Sequence, residues 1–174
     1  MIEDEVIAHL RAKVGLTGTP ESVVAEAETR LGFSLPPLLR RVYREVGPGG
    51  HGPGHGLLSI DSSGGGDDGL VGFHGRTATD PRWPGKLLAF CDWGCAIWSA
   101  LDCSCVAGLV VTVTESGFHT QGHTLSSWLT AWVEDVDLWS EMMEPGATHV
   151  GINPFTKEPH AFPSAGRPRG TRWP

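Results

Sequence analysis

Glu28-Thr29-Arg30-Leu31-Gly32-Phe33-Ser34-Leu35-Pro36-Pro37-Leu38-Leu39-Arg40-Arg41-Val42-Tyr43-Arg44-Glu45-Val46 reads as the end of one helix, a tight corner and the start of another. Gly32 suits the left-handed closure of a helix. Ser34 is a candidate cap for the next one, and Pro36 and Pro37 are tolerated in its first turn. Leu35, Leu38, Leu39, Val42, Tyr43 and Val46 then recur at three- and four-residue steps, a stripe that must be buried, with Arg40, Arg41, Arg44 and Glu45 on the wet side. Upstream, Val23, Val24, Ala27 and Leu31 face one way on a helix that Thr19 would cap, with Pro20 as its first residue. Val6, Ile7, Leu10 and Val14 mark a first helix over residues 3–14, closed by Gly15 and Gly18.

Downstream the period shortens. Residues 47–56 form a glycine loop with nothing large enough to pack a core, Leu57 to Ile60 looks like a strand, and Ser62 to Gly69 is a flexible acidic turn. Arg76 to Gly85 is polar and contains proline, hence irregular. Lys86 to Cys91, Cys95 to Asp102 and Gly108 to Glu115 are apolar, partly β-branched runs, with Asp92-Trp93-Gly94 as the first connecting turn and a further short strand at Phe118 to His123. Connections this short imply an antiparallel meander, since parallel strands need a crossover. Thr124 caps a helical pattern through Leu125, Trp128, Leu129 and Trp132, and Asp137 caps a second short helix after a break near Asp135. The fold class expected is α+β: N-terminal helices on a central antiparallel sheet, closed by a C-terminal helix. Residues 1–145 make a single domain, and residues 146–174 read as an irregular Pro/Gly-rich tail, frayed beyond about residue 165.

The bulk numbers limit the function. A chain of 174 residues with 40% apolar content can bury one real core. Its net charge of −7 does not suit a nucleic-acid binder, which needs basic surface against phosphates; it does suit a basic protein partner. No apolar run is long enough to span a membrane, and Glu3, Asp4 and Glu5 stand where a secretory signal would be basic, so a cytoplasmic location is expected. In a reducing compartment Cys91, Cys95, Cys103 and Cys105 would be free thiols.

The corner and its sequel resemble the SUKH (Smi/Knr-like) superfamily. The resemblance is carried by Glu28, then Leu31-Gly32, Leu35-Pro36, the stripe through Leu39, Val42 and Val46, the turn Gly49-Gly50, and Gly52-Pro53-Gly54-His55-Gly56-Leu57-Leu58. Cys91-Asp92-Trp93-Gly94-Cys95-Ala96-Ile97-Trp98 with Asp102 continues it, so that it covers roughly residues 21–133. Gly47-Pro48 stands where an Asn often precedes the paired glycines, and Leu39 where an aromatic is usual. In physical terms these residues are structural, and Glu28 would accept backbone N–H bonds near the second helix's N-terminus. What the resemblance implies for function is an immunity protein that binds and neutralises a toxin, a role without catalysis; fungal relatives are regulatory scaffolds.

Other chemistries find little support in the residues themselves. The spacing of the four cysteines is not that of paired zinc knuckles, and small thiols pack well in strands. His51, His55 and His74 fall near the glycine loop and His119 and His123 on a later strand or turn, and they read as exposed histidines and not as metal ligands. The glycine loop follows a helix and lacks the Lys-Ser/Thr of a phosphate cradle, and Ser99, Ser104 and Ser116 have no nucleophile-elbow context. Taken with what the resemblance implies, the reading is a non-enzymatic protein-binding module without cofactor, binding no nucleic acid, whose partner is a basic toxin domain. The alternative is a small zinc-binding or enzymatic domain built on the Cys/His set. Candidate partner-binding residues are Asp67, Asp68, Asp92, Trp93, Glu134, Asp135 and Asp137. Trp83 and Trp93 are either exposed interface anchors or covers for the sheet edge.

Overall fold

The structure is a computed structural model that describes residues 1–60, 69–105, 107–153, 155–163 and 166–173. Helix α1 spans Glu3–Val14 and buries Val6, Ile7 and Leu10, as their spacing requires, with acids in its first turn and Arg11 and Lys13 in its last. Helix α2, Glu21–Leu31, buries Val24, Ala27 and Leu31 and ends on Gly32 at φ 79°. Its N-cap is Pro20, not Thr19. Thr19 is drawn inward because the chain at 18–19 runs against the third helix: its N–H donates to the Tyr43 carbonyl at 2.9 Å. A Cβ on Gly18 would sit 1.9 Å from the Arg44 carbonyl oxygen, so only glycine permits that approach.

The corner is built as the sequence indicates, with two corrections. Leu35, Leu38, Leu39, Val42, Tyr43 and Val46 are all buried, but the helix changes character: α3 covers Pro37–Arg41 and continues as a π-helical turn over Val42–Val46. The N-cap is the buried Pro36, while Ser34 is exposed and caps nothing. Glu28 takes the capping role from outside the helix. It lies in the last turns of α2, and its Oε1 accepts the Leu35 N–H at 2.9 Å, so it braces the entry to α3 and not the start of α2. Arg40 Nε approaches the same carboxylate at 3.3 Å. Fully buried Tyr43 donates its hydroxyl to the Leu58 carbonyl at 2.8 Å, tying the π turn to the sheet side; burial drives its pKa upward.

One five-stranded antiparallel sheet runs in the order β1-β2-β3-β4-β5: Gly56–Leu57, Leu87–Gly94, Ile97–Asp102, Leu109–Thr114 and Gly117–Thr124. Strand β1 is shorter than expected, although the Leu58 N–H still reaches the Phe90 carbonyl at 2.8 Å. Asp92, Trp93 and Gly94 belong to β2. The turn lies one step on, at Cys95-Ala96, whose positive φ values of 51° and 59° are those a two-residue hairpin demands. Helix α4, Leu70–Thr77, was not legible as a helix; it buries Leu70, Val71 and His74. Register puts Trp98, Val113 and Phe118 on one face of the sheet and Ser99, Thr112 and His119 on the other.

Helices α5, Leu125–Val133, and α6, Leu138–Met142, carry the caps expected of them. Thr124 accepts the Ser127 N–H, Asp137 accepts the Ser140 N–H, and Asp135 breaks the chain at φ 58°. A single core joins helices and sheet, with Trp128, Tyr43 and Phe90 its largest fully buried members and Phe90 and Trp128 edge-to-face at 5.1 Å. Ile97, Met142 and Met143 form a smaller cluster.

The segment 146–174, expected to be irregular, contains a hairpin, β6 (Thr148–Ile152) with β7 (Pro159–Pro163). Nor is the stretch after residue 165 frayed where it is described. Arg167 accepts the Glu144 N–H, Arg169 donates to the Met142 carbonyl, and residues 171–173 run beside β5, with Thr120 and Trp173 N–H groups donating to Thr171 and Phe118 carbonyls at 2.9 and 2.8 Å. Backbone hydrogen bonds hold this strap, a form of order that a Pro/Gly-rich composition hides.

Candidate functional site

Asp92 and Trp93 lie where β2 meets the glycine loop. The His55 N–H donates to the Asp92 carbonyl at 2.8 Å, the His55 ring stands 3.7 Å from the Asp92 carboxylate, and the other Asp92 oxygen accepts the Gly94 N–H at 2.7 Å. Trp93 is half-buried and not an exposed anchor. Its indole N–H donates to the Ser99 hydroxyl at 2.9 Å, and its ring lies 5.8 Å from that of Trp139 in α6. Fully buried Ser99 also accepts from the Gln121 amide at 3.0 Å. Trp93 is thus a wedge between sheet and α6. Trp83 likewise packs on Phe73 and Phe118, with its N–H on the Leu87 carbonyl. Both tryptophans thus cover the sheet. Asp67 and Asp68 lie outside the described residues.

The remaining acidic candidates come together on the α5–α6 connection. Glu134, Asp135, Val136 and Asp137 are four consecutive exposed residues. Asp135 pairs with Lys13 of α1, and Asp137 holds Ser140 through both its N–H (3.1 Å) and its hydroxyl (2.7 Å), bonds that keep its carboxyl below the usual range. Glu134 and Val136, with Met1 and Thr130, line a groove of about 310 Å³. Trp93 is tied to the same helix through Trp139, so an aromatic pair fixes α6 behind the acidic linker.

A larger groove of about 690 Å³ went unread. Trp83, Trp98, Phe118 and Trp173 wall it, with Asp80, Arg82, Glu115 and Arg172 among its polar residues. Arg82 grips Asp80 with two side-chain bonds of 3.0 and 2.8 Å, holding that carboxyl down at about 2. Trp83 and Trp98 were visible singly. Their union needs the Trp98–Val113–Phe118 register and the strap that delivers Trp173, neither of which has a local signal.

The Cys/His set does not converge. Among the described residues no group of three His, Cys, Asp or Glu side chains is placed to hold a metal. Cys91 is buried, Cys95 exposed at the hairpin turn, and Cys103 and Cys105 half-buried, all four unpaired. Burial, with Asp102 second, pushes the Cys103 thiol up to about 12, the opposite of an activated thiolate. The histidines are not uniformly exposed loop residues. His74 is buried in α4 edge-to-face with Phe33, His51 stacks on Trp132 at 6.0 Å, and His123 in β5 meets Glu141 at 2.9 Å. Burial lowers the pKa of His51, His74 and His119, the last also through Arg172. Ser99, the one buried candidate nucleophile, faces an indole N–H and an amide N–H, neither of them a base.

Several of the motif residues make turn and cap contacts. Besides the Glu28 brace, Gly49 sits at φ 116°, where a Cβ would meet the Ser59 Cα at 2.6 Å, and the Gly50 N–H donates to the Leu57 carbonyl at 2.7 Å. Asp102 holds Ser104 through its N–H and hydroxyl at 2.8 and 2.5 Å, shaping the β3–β4 turn. Residues 18–132 match the family described as SMI1 / KNR4 family (SUKH-1). The chain belongs to this family. The SUKH-1 match takes in α2, the corner, the sheet and α5, and stops short of α6, the β6–β7 hairpin and the strap. Neither the curated proteins nor the solved structures compared with the chain gave a match. No helix among the described residues is long and apolar enough to cross a membrane.

Proposed function

We propose that this SUKH-1 protein is a non-enzymatic, protein-binding module of the immunity type, acting in the cytoplasm on a basic toxin domain. Family membership supports the module, and one geometric observation supports the surface: the exposed linker Glu134–Asp137, which sets three carboxylates, one of them paired with Lys13, around the exposed Val136 beside a shallow groove. Charge of one sign on an exposed linker steers a basic partner into encounter, and an apolar residue at its centre gives the contact something to desolvate. The net charge of −7 works in the same direction. Trp93 supports α6 through its ring contact with Trp139 and contributes through that support.

The experiment is surface plasmon resonance against a basic toxin domain from a neighbouring gene, which this reading expects to exist, with growth protection on co-expression as the biological readout. Glu134→Lys, which keeps the backbone N–H that closes α5 at its C-cap, slows association at low salt, and the difference shrinks as salt rises, with the melting temperature unchanged. Identical association rates for Glu134→Lys and wild type at low salt would remove the linker from the interface; failure to bind or protect would remove the immunity reading itself.

A further inference from the structure

The protein manages its strand edges unevenly. Strand β1 is only two residues long, and the outer edge of β5 is covered over 118–120 by the strap at 171–173. Both are ordinary ways of denying an edge to another chain. In the β6–β7 hairpin the Asn153 N–H donates to the Glu158 carbonyl at 2.9 Å. Hydrogen-bonded and non-hydrogen-bonded pairs alternate along an antiparallel ladder. The next inward-bonded pair is therefore Gly151 with His160, and the pairs Ile152–Pro159, Val150–Ala161 and Thr148–Pro163 turn their N–H and C=O groups outward. Pro159 and Pro163 have no N–H to turn outward, so the free edge of β7 is blunted by proline.

The free edge of β6 has no such device. Thr148, Val150 and Ile152 present outward N–H and C=O groups that no described residue takes up. The strand Thr148-His149-Val150-Gly151-Ile152 carries no Lys, Arg, Asp or Glu and no proline. Val150 and Ile152 are 74% and 62% exposed. A two-stranded hairpin is marginal alone and gains from further strands.

We infer that β6 pairs edge to edge, antiparallel, with β6 of a second copy of this chain, joining the two hairpins into a four-stranded sheet. The outward positions are symmetric about Val150. A two-fold axis there sets Val150 opposite its own mate and Thr148 opposite Ile152, and three such pairs exchange about six backbone hydrogen bonds. A second copy offers β6 as its one unblunted edge among the described strands, so the contact is isologous and closes at two copies instead of growing into a fibre. The absence of Asp, Glu, Lys and Arg from β6 lets copies of a chain with net charge −7 meet there without direct repulsion. The hairpin lies outside the family-matched residues 18–132, so the dimer is this chain's addition to the shared fold.

Sedimentation velocity from micromolar to millimolar protein tests this. The wild type shifts from monomer to twice that mass as concentration rises. Val150→Pro removes an outward N–H while leaving the inward β6–β7 bonds intact, and Val150→Lys sets two like charges face to face with every backbone group kept. Both stay monomeric with unchanged far-ultraviolet circular dichroism. Because the lysine variant alters no backbone donor, its result decides the matter even if the proline variant distorts the hairpin. A wild type that remains monomeric throughout overturns self-pairing and leaves the edge to a strand of a different protein; a dimer that survives Val150→Lys overturns the assignment to β6.

Discussion

Removing the Glu28 carboxylate tests whether the corner is braced as described. The side chain is only 15% exposed, its Oε1 lies 2.9 Å from the Leu35 nitrogen, and Leu35 itself is buried. Glu28→Ala leaves a buried N–H without an acceptor, which costs about 1–3 kcal/mol. It also breaks the pairing with the one-third-exposed Arg40, worth about 0.2–1 kcal/mol after solvent screening. The expected loss is about 2–3 kcal/mol. Glu28→Gln keeps an oxygen of the same reach and loses only charge assistance, so about 0.5–1 kcal/mol is expected. Urea unfolding followed by tryptophan fluorescence gives both values, provided the slope with denaturant is unchanged. The reasoning is refuted if Glu28→Ala costs under about 0.5 kcal/mol, or if the glutamine variant is as damaged as the alanine one.

Leu39→Ala, at a fully buried position of the π-turned stripe, should cost about 2–5 kcal/mol in the same assay, and a value near zero would mean the stripe is not core. Gly49→Ala should lose about 1–3 kcal/mol from backbone strain before its clash with Ser59 is counted; wild-type stability would show that the turn can relax. Acid should destabilise the fold early. His51, His74 and His119 have folded pKa values below the unfolded value of about 6.5, so the unfolded chain binds protons first, and stability complete above that pH falls as pH drops through the lowered values. The urea midpoint should therefore decline between pH 7 and pH 5, with a shallower slope in His74→Gln; an equal slope in that variant would clear His74 of the effect.

Much of the fold was legible because its signals are local. The spacing of Val6, Ile7 and Leu10, the Leu31-Gly32 closure and the caps at Thr124 and Asp137 each act within one turn of chain. Helix α4 was missed because Leu70–Thr77 contains two glycines and no side-chain cap, so tertiary packing of Leu70, Val71 and His74 carries it. The π turn leaves no trace, since steps of four fit either helix. At the candidate site the acidic linker was readable from sequence, whereas the fate of Trp93 was not: what buries it, Trp139, lies 46 positions away (139 minus 93). The aromatic groove depends on register and on a strap from the far end of the chain, both non-local.

That strap sets a timetable. Residues 171–173 are the last described segment to be synthesised, yet they cover the edge of β5, which is complete at Thr124. Until residues 171–173 are added, the edge of β5 lacks the cover that the strap gives it. Nascent chains with an unpaired strand are vulnerable to wrong pairing, so this protein has a window of exposure that lengthens when translation of residues 125–170 is slow, and that closes by a contact between distant parts of the chain.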